Sequence, residues 1–296
     1  MKSYRDIAGD GGSNILGQVM ALRERLETRL SRVRHVVAVM SGKGGVGKST
    51  VTAGLATVLA HEGKAVGVVD ADLNGPALAR MLGVRVQQLR LGPDGVVPAV
   101  GAAGVRVMSM DLFLPDEATP VTWRHPGGLA ADTTVWRVTT EATVLREFLT
   151  DTAWGDLDFL LLDLPPGSDR FAAVAGLLPR LAGVLVVTVP TLVSQAVVRK
   201  AITAAQQRGD PLLGLVENMA GYVCPDCGSL SPLFPDGHTE EMAEAMGLPL
   251  LARIPFDPRL AAQADAGLPF ALTHPDTPAA RALASLAEAV EGALQP

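Results

Sequence analysis

Seven short runs of almost uninterrupted apolar residues are spaced along this chain: Val36–Met40, Ala65–Val69, Val105–Met110, Phe159–Leu162, Val184–Val189, Leu212–Val216 and Leu250–Ile254. None alternates apolar with polar. Strands read this way when both their faces are buried, which is the situation inside a parallel sheet covered by helices. Helical patterns around 48–61, 141–150, 171–181, 192–208 and 239–246 fill most of the intervals. The expected fold is therefore α/β, a single doubly wound, mainly parallel sheet flanked by helices. With 296 residues, 48% of them hydrophobic, the chain can bury one large core, and no linker divides it.

Ahead of the first strand, residues 1–34 read as a polar tail followed by an amphipathic helix. Ile15, Val19, Leu22, Leu26, Leu30 and Val33 recur every three or four positions from Asn14 to Val33. Residues 35–296 form the sheet-containing domain. Two stretches break its rhythm, 111–140 with Trp123-Arg124 and Trp136-Arg137, and a long loop at 221–238 around Cys224 and Cys227. No apolar run approaches the roughly 20 residues of a membrane span, and Met1–Gly12 lacks the apolar core of a signal peptide. The net charge of −6 disfavours nucleic-acid binding. These features are those expected of a cytoplasmic protein without a membrane or nucleic-acid partner.

The segment Ser41-Gly42-Lys43-Gly44-Gly45-Val46-Gly47-Lys48-Ser49-Thr50 follows the first strand and opens a helix. It matches the phosphate-cradling pattern G-x-x-x-x-G-K-[ST] in the strand–loop–helix setting that the pattern requires. Gly42, Gly44, Gly45 and Gly47 let the loop turn its backbone N–H groups, Val46 among them, onto phosphate oxygens. The start of the helix adds the positive end of its dipole to Lys48, Ser49 and Thr50. Lys48 would reach the β- and γ-phosphates of ATP, and the Ser49 hydroxyl would ligate Mg²⁺. Only five residues of the whole chain are lysine, and two of them lie in this loop. The fold expected is thus of the P-loop NTPase type. Asp70 and Asp72 follow the second strand and Asp163 ends a later one, so all three face the phosphate loop from carboxyl ends of strands. Such carboxylates either hold Mg²⁺ and orient water, or merely cap the turns that follow.

Lys43 is not needed by an ordinary phosphate loop. With it, KGGVGKST resembles the deviant Walker A motif of the MinD/ParA/Mrp class of P-loop ATPases. In that class the early lysine reaches across a dimer interface to the partner's nucleotide. The resemblance implies that Asp72 positions the attacking water, that Asp163 is the Walker B-type residue, and that Asn218 contacts adenine. A turn-forming Asn is the other reading of Asn218.

Cys224-Pro225-Asp226-Cys227 supplies half of a four-thiolate site, and the chain has no other cysteine. A two-fold dimer would complete the set for Zn²⁺ or a [4Fe–4S] cluster. A redox dithiol and an inert thiol pair are the alternatives, and His238 is a further candidate ligand nearby. From Val36 to Phe270 the chain resembles the Mrp/ApbC-type iron–sulfur cluster carrier ATPases, through SGKGGVGKST, VVDADLNGP, the WR…LLLDLPPG stretch from Trp136, GLVENM with CPDCG, and LPLLARIPFDP. That resemblance implies a homodimer that hydrolyses ATP slowly and passes a bridging cluster to apo-proteins. The chain departs from the family at Val138-Thr139, at Ser168-Asp169-Arg170, at Thr191 and at Asp236–Thr239. Two other functions compete, a MinD/ParA-like positioning ATPase and a zinc-clasped protein-targeting ATPase. Positioning on a membrane would need a basic amphipathic C-terminal helix, whereas Leu283, Leu286, Val290 and Leu294 share their helix with Glu288 and Glu291.

Overall fold

The computed structural model describes residues 15–116, 118–122, 134–234 and 238–295. Trp123-Arg124 and Asp236-Gly237 lie outside them. In chain order the elements are α1 (Ile15–Leu30), β1 (Val33–Ser41), α2 (Lys48–His61), β2 (Val66–Asp70), α3 (Leu78–Met81), β3 (Arg90–Gly92), β4 (Gly95–Val97), β5 (Ala99–Val100), β6 (Arg106–Met108) and α4 (Thr134–Thr150). They continue with β7 (Leu157–Asp163), α5 (Ser168–Ala175), β8 (Gly183–Thr188), α6 (Leu192–Arg208), β9 (Leu212–Val223), β10 (Leu230–Ser231), α7 (Thr239–Ala245), β11 (Leu250–Phe256), α8 (Pro258–Asp265), α9 (Phe270–Thr273) and α10 (Pro278–Leu294).

Among the described residues, nine strands form one sheet in the order β10-β9-β8-β1-β7-β2-β6-β5, with β11 also paired to β9. Pairing is parallel throughout the centre and antiparallel at β5 and β10. Each central strand feeds both faces. In β1, Val37 and Val39 join one core with α2, α9 and α10, while Val36, Ala38 and Met40 join a second with α1, α4, α5, α6 and α7. Successive side chains on a strand point to opposite sides, so an unbroken apolar run is what two cores demand.

Several boundaries differ from the expected ones. The chain enters β1 at Val33, so the helical period breaks after Leu30, and α1 is not set apart at residue 35. Leu26 and Leu30 are buried in the same core as Leu145, Phe148 and Leu149 of α4. α4 begins at Thr134, which places Trp136-Arg137 on a helix and not in a loop. The stretch 221–238 is partly a β-hairpin. β9 runs past its apolar run to Val223, because Tyr222 pairs with Phe256 of β11 on one edge and with Ser231 of β10 on the other. Leu283, Leu286 and Val290 of α10 are wholly inside the core, and so is Met242 of α7. No described helix is long and apolar enough to cross a membrane.

Candidate nucleotide and thiol sites

β1 delivers the phosphate loop, and two glycines permit its path. A Cβ on Gly42 would lie 2.8 Å from the backbone nitrogen of Val198 in α6. Gly47 sits at φ 78°, in the left-handed region, with the Asn218 amide where its Cβ would project. Gly47 is also the N-cap of α2 and offers no side-chain cap. The first N–H groups of that helix are therefore free to meet an anion. The Ser41 hydroxyl donates to the Lys43 carbonyl (3.0 Å) and steadies the turn.

Register then assembles the acidic groups. β7 lies between β1 and β2, opposing Asp163 to Val39 on one side and to Asp70 on the other. Asp163 Oδ1 pairs with Lys48 Nζ at 2.7 Å, and both side chains are buried. Ser49 Oγ donates to Asp163 Oδ2 (2.5 Å), and Thr52 Oγ1 donates to Oδ1 (2.9 Å). Asp70 Oδ2 accepts from the backbone of Ala77 (2.9 Å) and Leu78 (3.0 Å) and from Ser109 Oγ (3.2 Å). Its Oδ1 is buried with no hydrogen-bond partner among the described residues. Burial, and after it the negative charge of Asp163, pushes the Asp70 carboxyl up to about 7, against the pull of the two backbone donors and Lys48. Thr52 and Ser109 were not foreseen from the sequence. Thr52 could have been found, since it lies one turn beyond Lys48 on α2, on the same face.

Asp72 is half-buried on the loop after β2 and lines a cavity of about 60 Å³ with Asn74, Glu141, Pro165 and Arg170. Lys43 is half-exposed, and among the described residues no carboxylate pairs with it. Thr50 is half-buried on α2. Asn218 is buried on β9, and its Nδ2 donates to the Val46 carbonyl (2.9 Å), tying that strand to the phosphate loop.

The thiols occupy the turn between β9 and β10. Cys224 N–H donates to the Ser229 carbonyl (3.0 Å), and Gly228 N–H donates to the Cys224 carbonyl (2.8 Å). Gly228 takes φ 72° to close the turn. Cys227 is exposed and Cys224 half-buried. Ser229 Oγ lies 3.1 Å from Cys227 Sγ. That hydroxyl, the Ser229 backbone and the neighbouring Cys224 hold the Cys227 thiol below its ordinary pKa, favouring thiolate. His238 is exposed and bonds Glu241 through Nδ1 (3.1 Å). Among the described residues, no group of three or more His, Cys, Asp or Glu forms a metal-sized set.

Comparison with known proteins places these sites in context. The family model for ParA-type NUBPL iron-transfer P-loop NTPases matches residues 32–291. The iron-sulfur cluster carrier protein of Saccharolobus solfataricus is 39% identical, covering 92% of this chain and 88% of that protein. The cytosolic Fe-S cluster assembly factor NUBP2 of Bos taurus is 41% identical over 88% of this chain and 93% of its own. A solved nucleotide-binding protein from Archaeoglobus fulgidus, in complex with ADP, superposes with TM-score 0.70 at 36% identity, covering 83% of this chain and 92% of that one.

Proposed function

The chain belongs to the family of ParA-type NUBPL iron-transfer P-loop NTPases, and from that membership we propose that it is an ATP-hydrolysing iron–sulfur cluster carrier. In this reading it works in the cytoplasm as a homodimer, holds a [4Fe–4S] cluster between Cys224 and Cys227 of two subunits, and passes it to apo-proteins. The observation that carries the proposal is the course of β9. One strand bonds the phosphate loop through Asn218 and Val46 and then runs directly into the thiol turn.

The phosphate loop binds the nucleotide through the backbone N–H groups of Gly44 to Thr50 and the ammonium of Lys48. Lys48 leaves Asp163 to do so, and Ser49 and Thr52 keep the carboxylate in place. Ser49 Oγ, Asp163 and the unpartnered oxygen of Asp70 form an all-oxygen donor set suited to Mg²⁺, which would neutralise charge on the phosphates. Asp72 orients the water whose oxygen attacks the γ-phosphorus as the bond to the β–γ bridging oxygen breaks, giving ADP and phosphate. Lys43 reaches the nucleotide of the second subunit, and Asn218 contacts adenine. The cluster is cargo. Cys227, the more exposed thiol, ligates it first, and Cys224 closes the pair.

Anaerobic reconstitution with iron and sulfide tests this. About one [4Fe–4S] cluster per two chains is expected, with a visible chromophore. A Cys224→Ser protein that keeps full iron and sulfide would overturn the cluster assignment, and zinc without acid-labile sulfide in anaerobically purified protein would assign the thiols to Zn²⁺.

A further inference from the structure

Glu141 links two loops that the proposed reaction needs in register, and nothing above assigns it a role. It lies on α4, away from the phosphate loop in sequence. One carboxylate oxygen, Oε1, accepts from Asn74 Nδ2 at 2.8 Å, and the other, Oε2, accepts from Arg170 Nη1 at 2.8 Å. Asn74 lies two residues beyond Asp72, in a turn closed by Gly75 N–H donating to the Asp72 carbonyl (3.2 Å). Arg170 is the third residue of α5, whose preceding Gly167 donates its N–H to the Ser41 carbonyl (3.2 Å) at the root of the phosphate loop. The two partners therefore belong to the segments that follow β2 and β7, the strands bearing Asp70 and Asp163.

Packing joins the two segments through Ala71 and Leu73 on one side and Phe171 and Val174 on the other, all buried in one core, and leaves a small gap beside that contact. Asp72, Asn74, Glu141, Pro165 and Arg170 line a common cavity of about 60 Å³. The polar clasp spans it, and α4 gives the clasp a rigid base, because Leu145, Phe148 and Leu149 are buried in the core. The Glu141 side chain is 13% exposed and that of Arg170 38%, so the pair is only partly shielded from the screening that weakens surface ion pairs.

We infer that Glu141 is a positioning residue that fastens the Asp72 loop to the start of α5 through Asn74 and Arg170, so that the water-orienting carboxylate holds its place over the phosphate loop. The inference rests on the ATPase reading above. Glu141 acts through Asn74 on the loop that carries Asp72.

The test compares Glu141→Ala, Glu141→Gln, Arg170→Ala and the double Glu141→Ala/Arg170→Ala protein with wild type. Glu141→Ala is expected to lower kcat for ATP about tenfold while leaving KM and ADP affinity within about twofold, because misplacement of a catalytic group costs turnover and not ground-state binding. Glu141→Gln retains an acceptor for Asn74 and should fall between the two. Arg170→Ala should match Glu141→Ala, and the double variant should lose little more, since both remove one linkage. Amide hydrogen exchange of the nucleotide-free protein provides a readout that needs no hydrolysis, with residues 71–76 and 169–175 both exchanging faster in Glu141→Ala. Unchanged exchange in both segments would overturn the inference whether or not wild type hydrolyses ATP. So would full turnover, or a loss of turnover matched by losses of ADP affinity and melting temperature. Wild type that binds ADP without hydrolysing ATP would instead overturn the ATPase reading alone.

Discussion

At the scale of single residues, Asp70 has the environment with the largest consequence. Its folded carboxyl titrates near 7, against an ordinary value of 3.8. Between those two values the folded state binds the proton more tightly than the unfolded chain. Stability is therefore greatest below pH 4 from this group and declines as pH rises to 7, with no further change above. Asp70→Asn removes that decline. In urea titrations without nucleotide or Mg²⁺, the variant should gain on wild type by roughly 2–4 kcal/mol between pH 4 and pH 7.5, and a difference independent of pH would refute the assignment. The carboxylates themselves were legible in the sequence, since each ends an apolar run. The raised pKa of Asp70 was not, because it comes first from burial and then from the parallel pairing that sets Asp70 beside Asp163.

At the scale of elements, the phosphate loop is wedged between β1 and α6, and its glycines are not equivalent. A Cβ at Gly42 would run into the α6 backbone, which cannot rotate away, whereas one at Gly44 would meet only Pro166 Cγ, at an ordinary 3.8 Å. Gly42→Ala is expected to lose about 1–3 kcal/mol of unfolding free energy and to weaken ADP binding, while Gly44→Ala stays within about 0.5 kcal/mol of wild type in stability. Chemical denaturation of the two variants decides it, and equal losses would show that α6 yields. The glycine pattern named both positions from sequence. Only the packing of α6 separates them. β9 shows the same division. Its apolar run Leu212–Val216 was recognisable, but Glu217 to Val223 carries no strand-like run; it is held by β11 and β10 on its two edges across an irregularity at Met219, which takes φ 57°.

At the scale of the whole molecule, the sheet brings β1, β2, β7, β8 and β9 to a common carboxyl edge, where ligands of open α/β sheets collect. Phosphate loop, acidic residues and Asn218 all arise there, and β9 continues beyond it into the thiol turn. If two chains share one cluster, reconstitution should double the molar mass measured by light scattering, and oxygen exposure should reverse it. A cluster-loaded species with the mass of one chain would exclude the shared site. The sequence by itself determined the architecture and the residue types of the phosphate loop, because burial on both faces forces unbroken apolar strands and because cradling phosphate needs glycine, lysine and a hydroxyl at fixed spacing. The tertiary structure alone decided which groups meet. Asp163 with Lys48, Ser49 and Thr52, Asn218 with Val46, and Glu141 with Asn74 and Arg170 are contacts between residues carried on different elements. Periodicity along one chain encodes which face a residue takes, but which elements lie side by side depends on strand order and register, and those are set by the packing of the entire core.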